Sequence, residues 1–204
     1  MIAIVNYGLG NIRAFVSVYK NLNISCIIAA KADDLKGADK IILPGVGAFD
    51  YAMQLLQKSG MKEYIDRLVL KQKIPILGIC VGMQMMAYSS EEGILPGLGW
   101  VRGRVKKINA SKLAQKTHLP HMGWNSVKTL KLSKLFTNFE PNPIFYFLHS
   151  YCFACSNKKD VLAVTEYGET FASAVNSDNI YGVQFHPEKS HQNGIQLLKN
   201  FANL

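Results

Sequence analysis

The chain has 204 residues, of which 49% are hydrophobic and 18% charged, a composition that predicts one globular domain over residues 1–204 and excludes an intrinsically disordered chain. No apolar run reaches the roughly 18 residues of a membrane span. The chain opens on a strand pattern instead of the basic segment of a secretory signal. We therefore expect a cytoplasmic protein that binds no membrane. The formal net charge is +9, but the lysines are scattered or paired and are not interleaved with aromatic residues, which argues against nucleic-acid binding.

The first half of the chain alternates between strand and helix patterns. Apolar strand patterns cover residues 2–6, 25–29, 40–43 and 74–79. Helical patterns cover residues 11–21 and 48–70, the second interrupted near Gly60. Continuous apolar strands separated by helices predict a parallel sheet with helices on both faces.

A glycine-rich segment, Pro44-Gly45-Val46-Gly47, follows the third strand pattern. Glycines at a strand end let the backbone approach a ligand closely, and backbone N–H groups there can stabilise the oxyanion that forms when a nucleophile attacks a carbonyl. The spacing is not that of a dinucleotide-binding or phosphate-binding loop. The segment therefore indicates either an oxyanion site or an ordinary turn between strand and helix.

The segment Gly78-Ile79-Cys80-Val81-Gly82-Met83-Gln84 joins the fourth strand pattern to a helical pattern at residues 83–88. Cys80 stands at the apex of a sharp turn, and the glycines two residues before and after it allow tight backbone packing. A helix that follows directs unpaired N–H groups and the positive end of its dipole at the sulfur, which favours the nucleophilic thiolate. The alternative interpretation is a buried structural cysteine.

The second half of the chain has a different pattern. Short β segments separated by turn residues cover 103–108, 126–130 and 145–153, which is typical of antiparallel structure. Strand patterns at 172–175 and 180–185 and a helix at 194–202 complete the chain. We therefore expect an α/β fold with a small antiparallel β insertion.

The segment His186-Pro187-Glu188 supplies a general base and a carboxylate. Pro187 disfavours helical geometry at His186, and in extended backbone residues i and i+2 lie on the same face. Glu188 can then fix the tautomer of His186 and stabilise the imidazolium. The alternative is a core histidine beside a surface glutamate.

Taken together and in this order, these segments resemble the class I (triad) glutamine amidotransferases, whose fold is flavodoxin-like. Three more segments resemble those of the glutaminase subunits of imidazole glycerol phosphate synthases: Asn6-Tyr7-Gly8-Leu9-Gly10-Asn11, Leu119-Pro120-His121-Met122-Gly123-Trp124-Asn125 and Phe145-Tyr146-Phe147-Leu148-His149-Ser150-Tyr151. The residues His186-Pro187-Glu188-Lys189-Ser190 extend that resemblance.

The resemblance implies that the chain hydrolyses glutamine to glutamate and ammonia. Cys80 would be the nucleophile, His186 the general base and then acid, and Glu188 the residue that orients His186. The oxyanion would be held by Gly45, Val46 and Gly47 together with the Val81 N–H. Gln84 and Ser150 would hold the amino-acid end of glutamine.

The resemblance also implies a partner and no metal or other cofactor. Ammonia would pass to a cyclase subunit with a (β/α) barrel, which uses it in histidine biosynthesis and releases a purine precursor. Four positions would face that cyclase in a heterodimer: Asn11, Trp124, Tyr146 and Lys189. Because ammonium is a poor nucleophile, an enclosed route between the subunits is required.

Three other interpretations remain open from the sequence. Segments such as Ser190-His191 resemble paralogues with the same glutaminase chemistry that serve the amidination of surface sugars. His149, Cys152 and Cys155 form a His-x-x-Cys-x-x-Cys pattern, but a structural zinc site usually has four ligands. A stand-alone cysteine hydrolase is the third. For all four cysteines we expect reduced thiols.

Overall fold

The computed structural model describes residues 1–109, 111 and 118–204. Its central sheet contains the parallel strands β1 (Ile2–Val5), β2 (Cys26–Ala29), β3 (Lys40–Gly45), β4 (Ile76–Cys80) and β13 (Ile180–Val183). Their order across the sheet is β2-β1-β3-β4-β13. Nearly every residue of β1, β3 and β4 is buried, as the continuous apolar runs predict.

Helices connect the parallel strands or follow the last of them. Helix α1 (Ile12–Asn21) lies between β1 and β2, α2 (Phe49–Lys58) and α3 (Lys62–Asp66) lie between β3 and β4, and α5 (His191–Ala202) follows β13. The chain moves from β1 to β2 in one direction along the sheet and from β3 to β4 in the other. Since crossovers between parallel strands are right-handed, the connecting helices lie on opposite faces, and the predicted α/β architecture is confirmed.

The predicted break near Gly60 is also confirmed. Helix α2 ends at Lys58, Gly60 has φ of +68°, and α3 begins at Lys62. A π-helical turn at Arg67–Lys71 continues α3 to the end of the predicted region. Helix α5 begins at His191, three residues before the predicted start.

Antiparallel strands extend the same sheet beyond β13. Strand β12 (Glu169–Ser177) pairs with β13, β10 (Tyr151–Cys155) and β11 (Val161–Tyr167). Strand β6 (Gly103–Lys107) pairs with β10 and, in parallel, with the edge strand β5 (Ser89–Ser90), while β8 (Lys128–Thr129) pairs with β11. A separate two-stranded ribbon consists of β7 (His121–Ser126) and β9 (Ile144–His149).

The prediction of one β segment over residues 145–153 is wrong, because the chain changes sheets at Ser150. Strand β9 buries Phe145, Phe147 and His149, whereas β10 buries Cys152 and Phe153. The alternation of buried and exposed residues is therefore lost in β10, where two adjacent residues are buried. Strand β9 pairs with β7 in the ribbon, whereas β10 pairs with β6 and β12 in the main sheet.

Strand β11 was not predicted by the sequence pattern. Its pairing with β12 is irregular between Val161 and Val164, as at a β-bulge. The extra residue places both Leu162 and Ala163 in the core, so the alternation that identifies a half-buried strand is lost.

None of the helices in the described part of the chain is long and apolar enough to cross a membrane. All four cysteines are free thiols.

Candidate active site

Cys80 is the last residue of β4 and has φ of +53° and ψ of −111°. A positive φ is unfavourable for a residue with a Cβ atom, and such strain costs about 1–3 kcal/mol at sites where the surroundings enforce it. Helix α4 (Val81–Gln84) follows directly. The thiol therefore stands at a strained turn between strand and helix.

Two glycines make this turn possible by close backbone contact. A Cβ atom on Gly82 would lie 2.0 Å from the carbonyl oxygen of Leu43, and one on Gly45 would lie 2.4 Å from the Gly82 nitrogen. Both distances are far below van der Waals contact. Strand β3 consequently packs directly against the residues that follow the cysteine.

The predicted helix at residues 83–88 is wrong in position and length. Helix α4 begins at Val81 and ends at Gln84. The carbonyl oxygens of Met85, Met86 and Ala87 accept hydrogen bonds from the N–H groups of residues 98, 101 and 99, so they cannot continue a helical ladder. A single helical turn has only a small dipole, and its unpaired N–H groups are the more important contribution near the sulfur.

His186 and Glu188 form a buried pair beside Cys80. The Nδ1 atom of His186 lies 2.9 Å from Oε1 of Glu188, and both side chains are 2% exposed. His186 is extended, but Pro187 begins a 3-10 turn instead of continuing the extended chain. Burial lowers the pKa of His186, but hydrogen bonds with Cys80 and Glu188 and the charges of both outweigh burial and raise it to about 10.

This pKa indicates an imidazolium at neutral pH, stabilised by acceptors on both sides. The ring in this state already carries the proton, and its positive charge favours a thiolate at Cys80. The site therefore contains a nucleophile, a proton donor and acceptor, and an orienting carboxylate in hydrogen-bond contact.

The backbone of strand β9 contacts both His186 and Cys80. The carbonyl oxygen of Tyr146 accepts a hydrogen bond of 2.8 Å from the His186 N–H. The carbonyl oxygen of Leu148 lies 3.9 Å from the Cys80 sulfur. The Tyr146 N–H in turn donates to Oγ of Ser190, which itself donates to the His186 carbonyl.

A cleft of about 350 Å³ opens over the Cys80 sulfur. The predicted oxyanion and substrate-binding residues that line it are Val46, Gly47, Val81, Gln84 and Ser150. Gly45 instead lies in strand β3, paired with Cys80 in the sheet. Gly47 has φ of +88°, a conformation that glycine adopts without strain.

The side chain of Gln84 is almost fully buried at the base of the cleft. Its Nε2 atom donates to the carbonyl oxygen of Tyr151 and to Oε1 of Gln184, both at 3.0 Å. Gln184 in turn places its Nε2 atom 3.7 Å from the Cys80 sulfur. The sequence assigned no role to Gln184.

Glu92 is a second residue that sequence reasoning missed. It lines the cleft, and its Oε2 accepts a hydrogen bond of 2.9 Å from the Phe49 N–H at the start of α2. Its carboxylate places a negative charge beside Gln84 and Ser150. The only signal in the sequence is the acidic pair Glu91-Glu92 in a segment without regular pattern.

His149, which also lines the cleft, belongs to a buried hydrogen-bonded chain. Its Nδ1 atom lies 2.8 Å from the carbonyl oxygen of Tyr151, and its Nε2 atom lies 3.0 Å from Nδ1 of His121. The Nε2 atom of His121 faces Nδ2 of Asn125 at 3.2 Å. Because a carbonyl can only accept, His149 carries its proton on Nδ1, and every polar atom of both neutral rings is then satisfied.

Both rings are uncharged imidazoles at neutral pH. Burial lowers the pKa of His121 to about 4. Burial also lowers the pKa of His149 to about 3; the Tyr151 carbonyl opposes this shift, and the nearby rings of His121 and His186 add to it. Phe147, Tyr167 and Phe171 surround His121.

We expect the free energy of unfolding to fall as the pH falls from about 6.5 to 4. In this window the unfolded chain binds protons at both histidines, which the folded chain does not, so stability is full above the unfolded pKa and is lost on acidification. His149 alone contributes a loss of about 2 kcal/mol between pH 7.5 and 5. Urea unfolding of the wild type and of His149→Gln at both pH values measures this.

The wild type should lose more stability than His149→Gln on acidification. His118→Gln is the matched control, because His118 is exposed, and it should follow the wild type. Equal losses in all three proteins would contradict the prediction.

The four positions expected to face a partner lie outside the cleft or at its rim. Trp124 is 50% exposed, stacks on His191 at 5.1 Å between ring centroids, and meets the edge of Tyr146. The Nζ of Lys189 lies 5.7 Å from the Tyr146 ring centroid, and Lys189 also lines the cleft. Asn11 is exposed at the start of α1.

The outer face of the ribbon is apolar. Met122 and Trp124 in β7 lie opposite Leu148 and Tyr146 in β9, and the first three are at least 38% exposed. An exposed apolar surface at the rim of a cleft is typical of a protein–protein contact.

The residues of the His-x-x-Cys-x-x-Cys pattern are placed differently from metal ligands. His149 is engaged by His121 and Tyr151, and burial raises the pKa values of Cys152 and Cys155 to about 12. Among the described residues, no group of three or more His, Cys, Asp or Glu side chains is arranged to hold a metal ion.

Comparisons with known proteins bear on this site. The family profile "Glutamine amidotransferase class-I" matches residues 3–204. A curated relative from Bdellovibrio bacteriovorus, "Imidazole glycerol phosphate synthase subunit HisH", is 56% identical, and one of the same name from Leptospira borgpetersenii is 53% identical; each match covers 100% of both chains.

Solved structures share the fold. A crystal structure described as that of a glutamine amidotransferase superposes with a TM-score of 0.74 at 18% sequence identity. The match covers 100% of this chain and 99% of that one.

Proposed function

Because this chain belongs to the class I glutamine amidotransferase family, we propose that it is the glutaminase subunit of an imidazole glycerol phosphate synthase, which acts in histidine biosynthesis. The observation that carries the chemistry is the contact of Cys80 with the buried pair of His186 and Glu188 at the base of one cleft. The observation that carries the pathway is the identity of 51–56% to curated subunits of that synthase.

The proposed reaction has two halves. The Cys80 thiolate attacks the γ-carbonyl carbon of glutamine, and the His186 imidazolium protonates the departing nitrogen, so that the C–N bond breaks and ammonia leaves. His186 then takes a proton from water, which attacks the γ-glutamyl thioester and releases glutamate. Glu188 holds the ring and stabilises its protonated form throughout.

In both halves a negative charge develops on the substrate's carbonyl oxygen. We assign its stabilisation to the N–H groups of Val46, Gly47 and Val81. Val46, Gly47 and Val81 line the cleft beside the sulfur, and the Val81 N–H has no partner within the single turn of α4. Donors in a site that is already folded stabilise such a charge without reorganisation.

Glutamine also carries a charged amino-acid end, which the cleft must hold. We assign it to Gln84, Ser150 and Glu92. Glu92 is the only one of these with a charge, and its carboxylate suits the α-ammonium group. Gln84 and Ser150 line the same cleft as Glu92.

We expect Glu92→Gln to raise the KM for glutamine about 10–100-fold and to change kcat by less than about threefold, since a hydrogen bond to a charged group contributes about 1.5–3 kcal/mol. Gln retains an oxygen for the Phe49 N–H, so the local fold is preserved. Steady-state glutamate release measures both constants.

Glu91→Gln is the matched control. Glu91 is exposed and accepts a hydrogen bond from the Lys107 N–H outside the cleft. A KM for Glu92→Gln that equals those of the control and the wild type would remove Glu92 from the substrate site.

The synthase requires a second subunit, since the curated relatives are named as subunits. We propose a heterodimer with a cyclase built on a (β/α) barrel, which takes ammonia directly and uses it to form imidazole glycerol phosphate and an aminoimidazole carboxamide ribotide. The docking surface includes Asn11, Trp124, Tyr146 and Lys189, around the apolar outer face of the ribbon. The free thiols suit a cytoplasmic location.

The test is glutamate release by the purified chain alone and with the cyclase subunit of the same organism and its nucleotide-derived substrate. We expect the isolated chain to be nearly inactive and the complex to be stimulated by more than tenfold, or about 1.4 kcal/mol in the barrier. Equal rates with and without the cyclase would contradict the assignment. If Cys80 then still reacted with a glutamine-like alkylator, a different synthase would be the partner.

A further inference from the structure

Gln184 is a fully buried amide beside the nucleophile, and the mechanism above gives it no role. It follows β13 directly, and its backbone N–H donates to the carbonyl oxygen of Ser173 at 2.9 Å. Its side chain is 0% exposed and ends 3.7 Å from the Cys80 sulfur. A buried amide at this distance is within the range of a hydrogen bond to sulfur.

The orientation of this amide is fixed by its neighbours. The carbonyl oxygen of Tyr151 can only accept, so the group of Gln84 that faces it is the NH₂ group. The same nitrogen faces the Gln184 side chain at 3.0 Å, so Gln184 presents its oxygen to Gln84. Its NH₂ group is therefore the one directed at the sulfur.

The sulfur has different partners in its two protonation states. A thiol can donate to the Leu148 carbonyl oxygen, 3.9 Å away, whereas a thiolate can only accept. Gln184 is a donor to which a thiolate can bind. The hydrogen bond is thus strongest when the charge resides on sulfur.

We infer that Gln184 is a further catalytic residue, which donates an N–H to the Cys80 sulfur and stabilises the thiolate, with Gln84 as the positioning residue that holds its amide in the donating orientation. This inference rests on the proposed glutaminase reaction. It differs from the oxyanion site, whose donors face the carbonyl oxygen of the substrate.

The donor acts in both halves of the reaction. In the first half the sulfur lone pair forms the S–C bond from a thiolate that Gln184 holds in place. In the second half water attacks the thioester, the S–C bond breaks, and the electron pair returns to sulfur, where the same N–H stabilises it as the leaving group.

The test compares the wild-type heterodimer with that of Gln184→Glu. Glutamate keeps the size of the side chain and the oxygen that Gln84 binds. In its ionised form it has no hydrogen to donate, and its negative charge further opposes the thiolate. We expect the rate at which iodoacetamide alkylates Cys80 at pH 7 to fall about tenfold, with the pH profile of alkylation displaced to higher pH. We also expect kcat for glutamate release to fall about 10–100-fold, with KM within about threefold. Mass spectrometry of the Cys80 peptide separates its alkylation from that of the other thiols.

Asn200→Asp is the matched control, because Asn200 is another buried amide whose NH₂ group binds carbonyl oxygens of residues 135 and 137 in a different region. It should leave the pH profile of alkylation unchanged. If Gln184→Glu does not fold, Gln84→Met tests the same point, since it frees the Gln184 amide to turn and should also slow alkylation.

An unchanged alkylation profile in the Gln184 variant would overturn the inference, whether or not kcat falls, since a merely structural role would not act on thiolate reactivity. The proposed function has a separate readout. If the wild-type heterodimer released no glutamate, the proposed glutaminase function would be contradicted. The pH profile of Cys80 alkylation would still show whether Gln184 stabilises the thiolate.

Discussion

Replacing Cys80 with alanine is expected to abolish glutamine hydrolysis while leaving ammonium-supported synthesis by the cyclase intact. Alanine removes the atom that forms the thioester, and the remaining groups cannot supply another nucleophile in the strained turn. We expect a loss of about 10⁴-fold or more, as for other residues that form a covalent intermediate. The measurement is product formation by the heterodimer from glutamine and, separately, from an ammonium salt.

Cys26→Ala is the control for this experiment. Cys26 lies in β2, which β1 and β3 separate from β4, so both activities should stay at the wild-type level. Loss of both activities in Cys80→Ala would contradict the proposal that this chain only releases ammonia and that the cyclase uses it.

Replacing Glu188 with glutamine is expected to lower kcat for glutamate release by about 10³–10⁴-fold, comparable to the effect of such a change in other catalytic triads. The amide removes the negative charge that helps to raise the pKa of His186. It can also present an N–H to Nδ1 of His186, which moves the ring proton to Nε2. In that tautomer the ring cannot accept the thiol proton.

The same change should lower the pH at which His186 loses its proton, because one of the two acceptors that stabilise the imidazolium is gone. The pH profile of Cys80 alkylation follows this directly. Glu140→Gln is the matched control, since Glu140 is exposed in a loop. Activity of Glu188→Gln within tenfold of this control would exclude an orienting role.

The parallel half of the fold was predictable because its sequence obeys simple patterns. Strands buried on both faces appear as continuous apolar runs, and Gly60 interrupts the helical region at a positive φ. The antiparallel half is less regular. The adjacent buried residues Cys152 and Phe153, just after the chain changes sheets, and the bulge near Ala163 both disturb the alternation on which strand prediction depends.

The site shows a similar division. The segments around Cys80 and His186 could be identified because each carries its chemistry within a few consecutive residues. Gln184 and Glu92 could not be identified, because their importance depends on contacts between residues that are distant in the sequence. Gln184 contacts Cys80, 104 positions earlier in the chain, and Glu92 contacts Phe49, 43 positions earlier. The length of α4 was also not predictable, because carbonyl acceptors in the turn after it bind N–H groups of a loop further along the chain.

The ribbon strand β9 separates two tasks between its backbone and its side chains. The carbonyl oxygens of Tyr146 and Leu148 contact His186 and Cys80, while the side chains of Leu148 and its cross-strand partner Met122 are exposed on the outer face. The outward side chains of the proposed docking surface can therefore be replaced without altering the peptide groups that contact Cys80 and His186. One ammonia-producing fold can in this way acquire different partner proteins while the reaction that it catalyses stays the same.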